Sequence, residues 1–181
     1  MALRDIILYP HEVLTRRAAE VDVVGGATRE LVADMVETMY DAPGIGLAAP
    51  QVGVLERITV IDVAPREDDG PGEPELHVFI NPEIVHREGA ITWEEGCLSI
   101  PGIYEKVHRA EKIVVQALDA NGEEFELEAD GLLSVCIQHE IDHLDGVVFL
   151  QHLSGLKRRM ALKRYKKLRE AAQGENEEHS S

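Results

Sequence analysis

Cysteine is scarce in this 181-residue chain, which has only Cys97 and Cys136. Two thiols make no disulfide framework at this length, and in a reducing compartment a cysteine near histidine and glutamate reads as a ligand or nucleophile. Long apolar runs are missing too. The first ten residues offer only Ile6-Ile7-Leu8-Tyr9, preceded by Arg4 and Asp5. That pattern is neither a signal peptide nor a membrane span, so a cytoplasmic location is expected. Cations are few, with 18 Lys and Arg against 34 Asp and Glu and a formal net charge of −16. This balance argues against DNA and other nucleic acid as a general partner.

The exception is local. Lys157, Arg158, Arg159, Lys163, Arg164, Lys166, Lys167 and Arg169 put eight of the 18 cations into thirteen residues without an acid. The remainder is more acidic than the average implies, as expected of a salt-adapted source. The length suits one domain with at most an appended helix, large enough to bury about 70% of the unfolded surface.

Leu31, Val32, Met35, Val36 and Met39 recur at helical spacing and predict an amphipathic helix over 28–40, stopped at Asp41-Ala42-Pro43-Gly44. A loop of small residues, Gly44 to Gln51, follows. Strands are predicted over 57–63, 76–80, 83–87, 104–109, 112–118 and 123–128, with Asn121-Gly122 as a hairpin turn. Residues 65–75, with Asp68, Asp69 and Gly70, read as a solvated acidic loop. No internal repeat is present. Short connections make the sheet mainly antiparallel, and the class is α+β.

The chemistry concentrates at Gln138-His139-Glu140-Ile141-Asp142-His143, inside a predicted helix over 132–144. At i and i+4, His139 and His143 share one face, roughly 5–6 Å apart at Cβ, within reach of a single metal ion. Glu140 beside them suits a general base for an activated water. The plain alternative is a pair of half-exposed histidines and a solvated carboxylate. Against it, Leu132, Leu133, Val135, Ile137, Ile141 and Leu144 make the helix apolar nearly all round, and buried polar groups need partners.

A third donor decides the kind of site. In a metzincin pattern the ligand position falls on Phe149, which cannot bind metal, and a thermolysin-like carboxylate is excluded because 147–169 contains no acid. The donor must lie upstream. Cys97, in Trp93-Glu94-Glu95-Gly96-Cys97-Leu98-Ser99-Ile100-Pro101, completes a three-ligand set with a fourth position for water. Cys136 leaves two readings: with Cys97, His139 and His143 it could close a structural Cys2His2 site, or it lines a pocket as a small apolar residue.

Three separated motifs, Gly44 to Gln51 (GIGLAAPQ), Glu95 to Ser99 (EGCLS) and Gln138 to Gly146 (QHEIDHLDG), resemble those of the peptide deformylases, in that family's order. The resemblance implies a bacterial-type enzyme with a C-terminal helix, which removes the formyl group from the N-terminal formylmethionine of nascent chains and releases formate. It implies Cys97, His139 and His143 as metal ligands and Glu140 as the acid–base. It further implies oxyanion donors at the Gln51 amide and the Leu98 backbone N–H, a peptide track along Ile45 and Gly46, and a methionine pocket at Leu132, Val135 and Cys136. Fe2+ is the favoured ion, with Zn2+, Ni2+ and Co2+ also accepted by such ligands. Glu95 and Ser99 are expected to hold the motif loop, and Gln138 and Asp142 to support the ligands from behind, with plain surface exposure as the alternative for Asp142.

Residues 1–153 are then the catalytic domain. Residues 154–173 form a basic helix, on an apolar pattern of Leu156, Met160, Leu162 and Leu168, that is either solvated or a dock for the ribosome. Residues 174–181 read as a disordered tail. A monomer is expected. Two other functions remain at this stage: a metallopeptidase using the same helix, and a non-catalytic module stabilised by metal.

Overall fold

The structure is a computed structural model that describes residues 1–65 and 73–180; Asp68, Asp69 and Gly70 of the predicted acidic loop lie outside the described residues. The apolar stripe of the first helix, α1 (Gly26–Asp41), turns Leu31, Val32, Met35 and Met39 inward. Along the chain follow β1 (Gly46–Ala48), β2 (Ile58–Ile61), β3 (His77–Glu88), β4 (Ile91–Cys97), β5 (Ile100–Arg109), β6 (Lys112–Leu118) and β7 (Glu124–Asp130). Helices α2 (Gly131–Leu144) and α3 (Gly155–His179) complete the chain.

Among the described residues five strands form one antiparallel sheet in the order β1-β2-β3-β6-β7, while β4 and β5 pair as a separate ribbon, which is the α+β class the sequence predicts. One core lies between α1 and β1–β2, around Met35, Met39, Leu47 and Ile58. A second lies between α2 and the sheet, where Ile137 and Ile141 meet Phe79, Ile113 and Val115. Helix α2 is thus buried on nearly every side, as its apolar composition requires. Among the described residues no helix is long and apolar enough to cross a membrane.

Five elements depart from the sequence expectation. Gly46–Ala48, read as loop, pairs with β2 as an edge strand. The predicted strands over 76–80 and 83–87 are one strand, because Asn81 takes a left-handed conformation (φ 51) and bends β3 instead of ending it. Its side chain accepts from the Val21 N–H and donates to the Val21 carbonyl, 2.8 and 2.9 Å, which holds that conformation in place. Strand β4 was not predicted and β5 starts earlier than expected, since charges and a glycine mask a ribbon whose pairing is tertiary.

Helix α3 differs most. It docks through buried Ala161 and Tyr165 with the expected Leu162 packed beside them, while Leu156, Met160 and Leu168 stay 61, 53 and 46% exposed. The small Ala161 side chain lets the helix approach, and the Tyr165 hydroxyl donates to the Tyr9 carbonyl. The segment expected as a disordered tail continues this helix to His179, because extending a docked helix costs far less than starting one.

The last turn of α2 carries His143 and closes in a left-handed glycine cap. The Gly146 N–H bonds the His143 carbonyl at 3.1 Å and the Val147 N–H bonds the Asp142 carbonyl at 2.8 Å. Arg57 donates to the Leu144 carbonyl at 3.0 Å and pairs with Asp145 at 3.0 Å, placing a cation at the negative helix end. Gly146 has φ 77, and a Cβ there would lie 2.6 Å from the backbone oxygen of Thr15. Gly146→Ala should therefore destabilise the fold by about 3 kcal/mol. A thermal melt should show Tm lowered by roughly 6–12 °C; an unchanged Tm would mean that this cap is not under steric constraint.

Candidate metal centre

Helix α2 brings His139 and His143 to one face, both buried, with ring centroids 4.9 Å apart. The end of β4 supplies Cys97, where the pairing with β5 shifts register between Glu95 and Cys97. That irregularity turns the thiol toward the helix. Cys97 Sγ lies 3.3 Å from His143 Nε2, and the two Nε2 atoms are 3.2 Å apart. All three donor atoms fall within 4.8 Å of one another. Ligands at ordinary zinc-like bond lengths around a tetrahedral ion stand about 3.3 Å (N to N) and 3.6 Å (S to N) apart, so this donor set fits one divalent ion. Cys136 is not part of the cluster.

The orientation of His139 is fixed from behind. Its Nδ1 donates to Glu95 Oε1 at 2.8 Å, leaving Nε2 toward Cys97 and His143. Glu95 is itself clamped by Arg109, whose Nε and Nη2 each donate at 2.8 Å. Arg109 Nη1 reaches Asp142 Oδ2 at 2.6 Å. Arg109 is the functional residue that the sequence reading missed; an arginine at the end of an alternating strand carries no signal, and only its 7% exposure reveals it. Asp142, left open between support and surface, holds this arginine. Gln138 is tied to Ala110 in both directions, at 3.1 and 2.9 Å, and so pins α2 to the β5–β6 turn.

Glu140 is buried, and its Oε2 has no hydrogen-bond partner among the described residues. Burial pushes its carboxyl up to about 7, with the nearby His139 pulling the other way and Glu95 adding to the rise. A carboxyl that titrates near neutrality can both take and return a proton. Gly46 explains how β1 passes so near: a Cβ there would sit 2.6 Å from Glu140 Oε1. Gln51 Oε1 accepts from the Ala48 N–H at 2.9 Å, and Nε2 then faces Ser99 Oγ at 3.1 Å and Cys97 Sγ at 3.6 Å. Ser99 thus holds Gln51.

These groups open onto a cleft of about 730 Å3. Its lining brings together Ile45, Gly46, Gln51, Leu98, Leu132, Val135 and Cys136 with Cys97, His139 and Glu140, so every sequence-predicted site residue except His143 borders one space. Burial raises the Cys136 thiol well above its usual range, which keeps it a neutral, apolar-like wall. Burial alone would raise Glu95 as well, but hydrogen bonds from Arg109 and His139 outweigh it and hold the carboxyl at about 2. Because this folded-state value is depressed, the pair stabilises the fold fully above about pH 4.5 and the contribution fades as pH falls toward 2. Arg109→Ala, which strands a buried carboxylate, should cost about 3–5 kcal/mol at pH 7. Urea unfolding should show that gap narrowing at pH 3; a gap independent of pH would mean that Arg109 acts by packing.

Comparison with known proteins gives the family. Residues 3–159 match the family model for polypeptide deformylase. A peptide deformylase of Alkalilimnicola ehrlichii is 54% identical over 93% of this chain and 92% of its own length. Peptide deformylase 1 of Ralstonia nicotianae is 58% identical over 87% of this chain and 90% of its own. The crystal structure of a Legionella pneumophila peptide deformylase superposes with a TM-score of 0.87 at 46% identity, covering 94% of this chain and 98% of that one. The Ehrlichia chaffeensis enzyme in complex with actinonin gives 0.84 at 42% identity, covering 92% and 98%. The chain belongs to the polypeptide deformylase family.

Proposed function

We propose that this chain hydrolyses the N-terminal formamide of formylmethionyl nascent peptides in the cytoplasm, releasing formate, with one divalent ion held by Cys97 Sγ and the Nε2 atoms of His139 and His143. The observation that carries this is the three-donor cluster set beside a buried carboxyl that titrates near neutrality, at the floor of a largely apolar cleft. A bound divalent ion would supply Lewis acidity and lower the pKa of a water.

The remaining chemistry belongs to side chains. Glu140 takes the proton of the attacking water and delivers it to the departing amine, a service worth roughly 10²–10⁴-fold. The Gln51 amide, held by Ala48 and Ser99, and the backbone N–H of Leu98 donate to the developing oxyanion. One such donor contributes roughly 3 kcal/mol in the transition state. Leu132, Val135 and Cys136 receive the methionine side chain, whose thioether suits an apolar wall, and the peptide lies along Ile45 and Gly46.

The mixed sulfur and nitrogen set accepts Fe2+, Zn2+, Ni2+ or Co2+. We take Fe2+ as the working ion on family grounds. Residues 1–153 form the catalytic domain, which works as a monomer. Helix α3 presents Lys157, Arg158, Arg159, Lys163, Lys166 and Lys167 on its exposed side, a surface suited to ribosomal RNA phosphate.

Glu140→Gln should lower formate release from a formyl-Met peptide by 10²–10⁴-fold while leaving bound metal unchanged. An unformylated peptide should remain uncut, which separates this reading from a peptidase. In the same assay, iron-loaded protein prepared without oxygen should outperform the zinc form; equal rates would remove the case for iron. Reversing Lys157, Lys163 and Lys166 to Glu should weaken co-sedimentation with ribosomes at low salt yet spare peptide turnover, and unchanged sedimentation would end the docking idea.

A further inference from the structure

We propose that His152, acting through Asp142, is a positioning residue for the ligand His139; the inference rests on the ion-binding reading above. An unbroken line of short hydrogen bonds leads from the protein surface to the inner histidine. His152 Nε2 is 2.8 Å from Asp142 Oδ2, and Arg109 Nη1 meets the same oxygen at 2.6 Å. Arg109 grips both oxygens of Glu95 at 2.8 Å, and Glu95 Oε1 accepts from His139 Nδ1 at 2.8 Å.

The proton on His152 can be assigned. Arg109 Nη1 also lies 3.4 Å from His152 Nε2, but an arginine only donates, and an unprotonated Nε2 would set its lone pair against the carboxylate at 2.8 Å. Nε2 therefore carries the proton and gives it to Asp142. That bond matters because Asp142 is only partly covered, its side chain 24% exposed, whereas Arg109 and Glu95 are 4% exposed. A second hold on Oδ2 keeps it aimed at Arg109.

His152 sits in the 3-10 turn Phe149–His152. From the same turn Phe149 stacks on the His139 ring, centroids 6.1 Å apart at 28°. One short turn thus touches the ligand directly through an aromatic face and indirectly through four polar side chains. Asp142 and His152 border a separate cleft, with Arg87 and His108, and do not line the substrate cleft. Their influence should consequently appear in metal retention and kcat and not in KM.

Direct partners of ligating histidines are worth 10–100-fold in metal affinity, and His152 acts from further out, so an effect of about threefold to tenfold is expected. The experiment follows the loss of Co2+ from loaded full-length protein into excess chelator, together with the visible d–d bands that report ligand geometry. His152→Ala should release the ion about threefold to tenfold faster and shift those bands. His152→Gln, whose amide nitrogen falls where Nε2 stands, should restore both, and Gln151→Ala, an exposed neighbour in the turn, should match wild type. Asp142→Asn should release the ion at least as fast as His152→Ala. Equal release from His152→Ala and wild type, or equally fast release from the Ala and Gln variants, would overturn the inference while leaving the metal site intact. A wild type that takes up no Co2+ at a site sensitive to Cys97→Ser would overturn the site and the inference together.

Discussion

The structure depends on one close approach: a thiol at the end of a β-ribbon brought to 3.3 Å from a histidine on a buried helix. Three polar donors gathered out of water are costly to hold without a cation between them, so the surroundings must fix them independently. They do so with a charged scaffold. Burial pushes His143 well below the ordinary histidine value, with His139 adding to that, while contact with Cys97 and Glu95 draws His139 well above it in spite of burial. The two histidines one helical turn apart also differ in hydrogen bonding, with His139 Nδ1 anchored to the Glu95 carboxylate and His143 Nδ1 bare among the described residues.

The fold arranges for these neighbours to arrive from different parts of the chain. The β4–β5 ribbon carries Cys97, Glu95 and Arg109, and α2 carries the histidines, Glu140 and Asp142. The ribbon therefore brings the thiol together with the ion pair that orients the opposing imidazole. The third core, in which Ile100, Ile103 and Val107 pack on Phe149, Leu150 and Leu153, seats the ribbon on the chain that follows α2. Helix α3 packs on the same core through Ala161 and Tyr165. On the other side, β1 crosses Glu140 at a distance only glycine permits, which ties the first motif sterically to the third.

Much of this could be read from residue order because the chemistry is local. A helix that is apolar all round yet holds His139, Glu140 and His143 announces a buried polar site, and elimination of downstream ligands leads to Cys97. Helices α1 and α2 and most of the strands follow from periodicity. What escaped reading was set by long-range contacts. Arg109 looks like any charged residue of an alternating strand until Glu95 and Asp142 converge on it. Strand β4 is assembled by its partner and not by its own propensity. Asn81 resembles a strand terminator until Val21 supplies hydrogen bonds that hold its left-handed turn. In α3 only Leu162 of the expected apolar pattern packs on the core, and the fully buried docking residues are a small side chain, Ala161, and a tyrosine, Tyr165, choices that only the shape of the opposing surface explains.

The nature of the donor set around the ion is the most direct point of attack, and X-ray absorption at the metal edge of the loaded protein measures it. The expected result is one sulfur at about 2.3 Å, two nitrogens at about 2.0–2.1 Å and one oxygen from water. A shell without sulfur, or one closed by two sulfurs and two nitrogens with no oxygen, would contradict the arrangement of Cys97, His139 and His143 on which the catalytic reading stands.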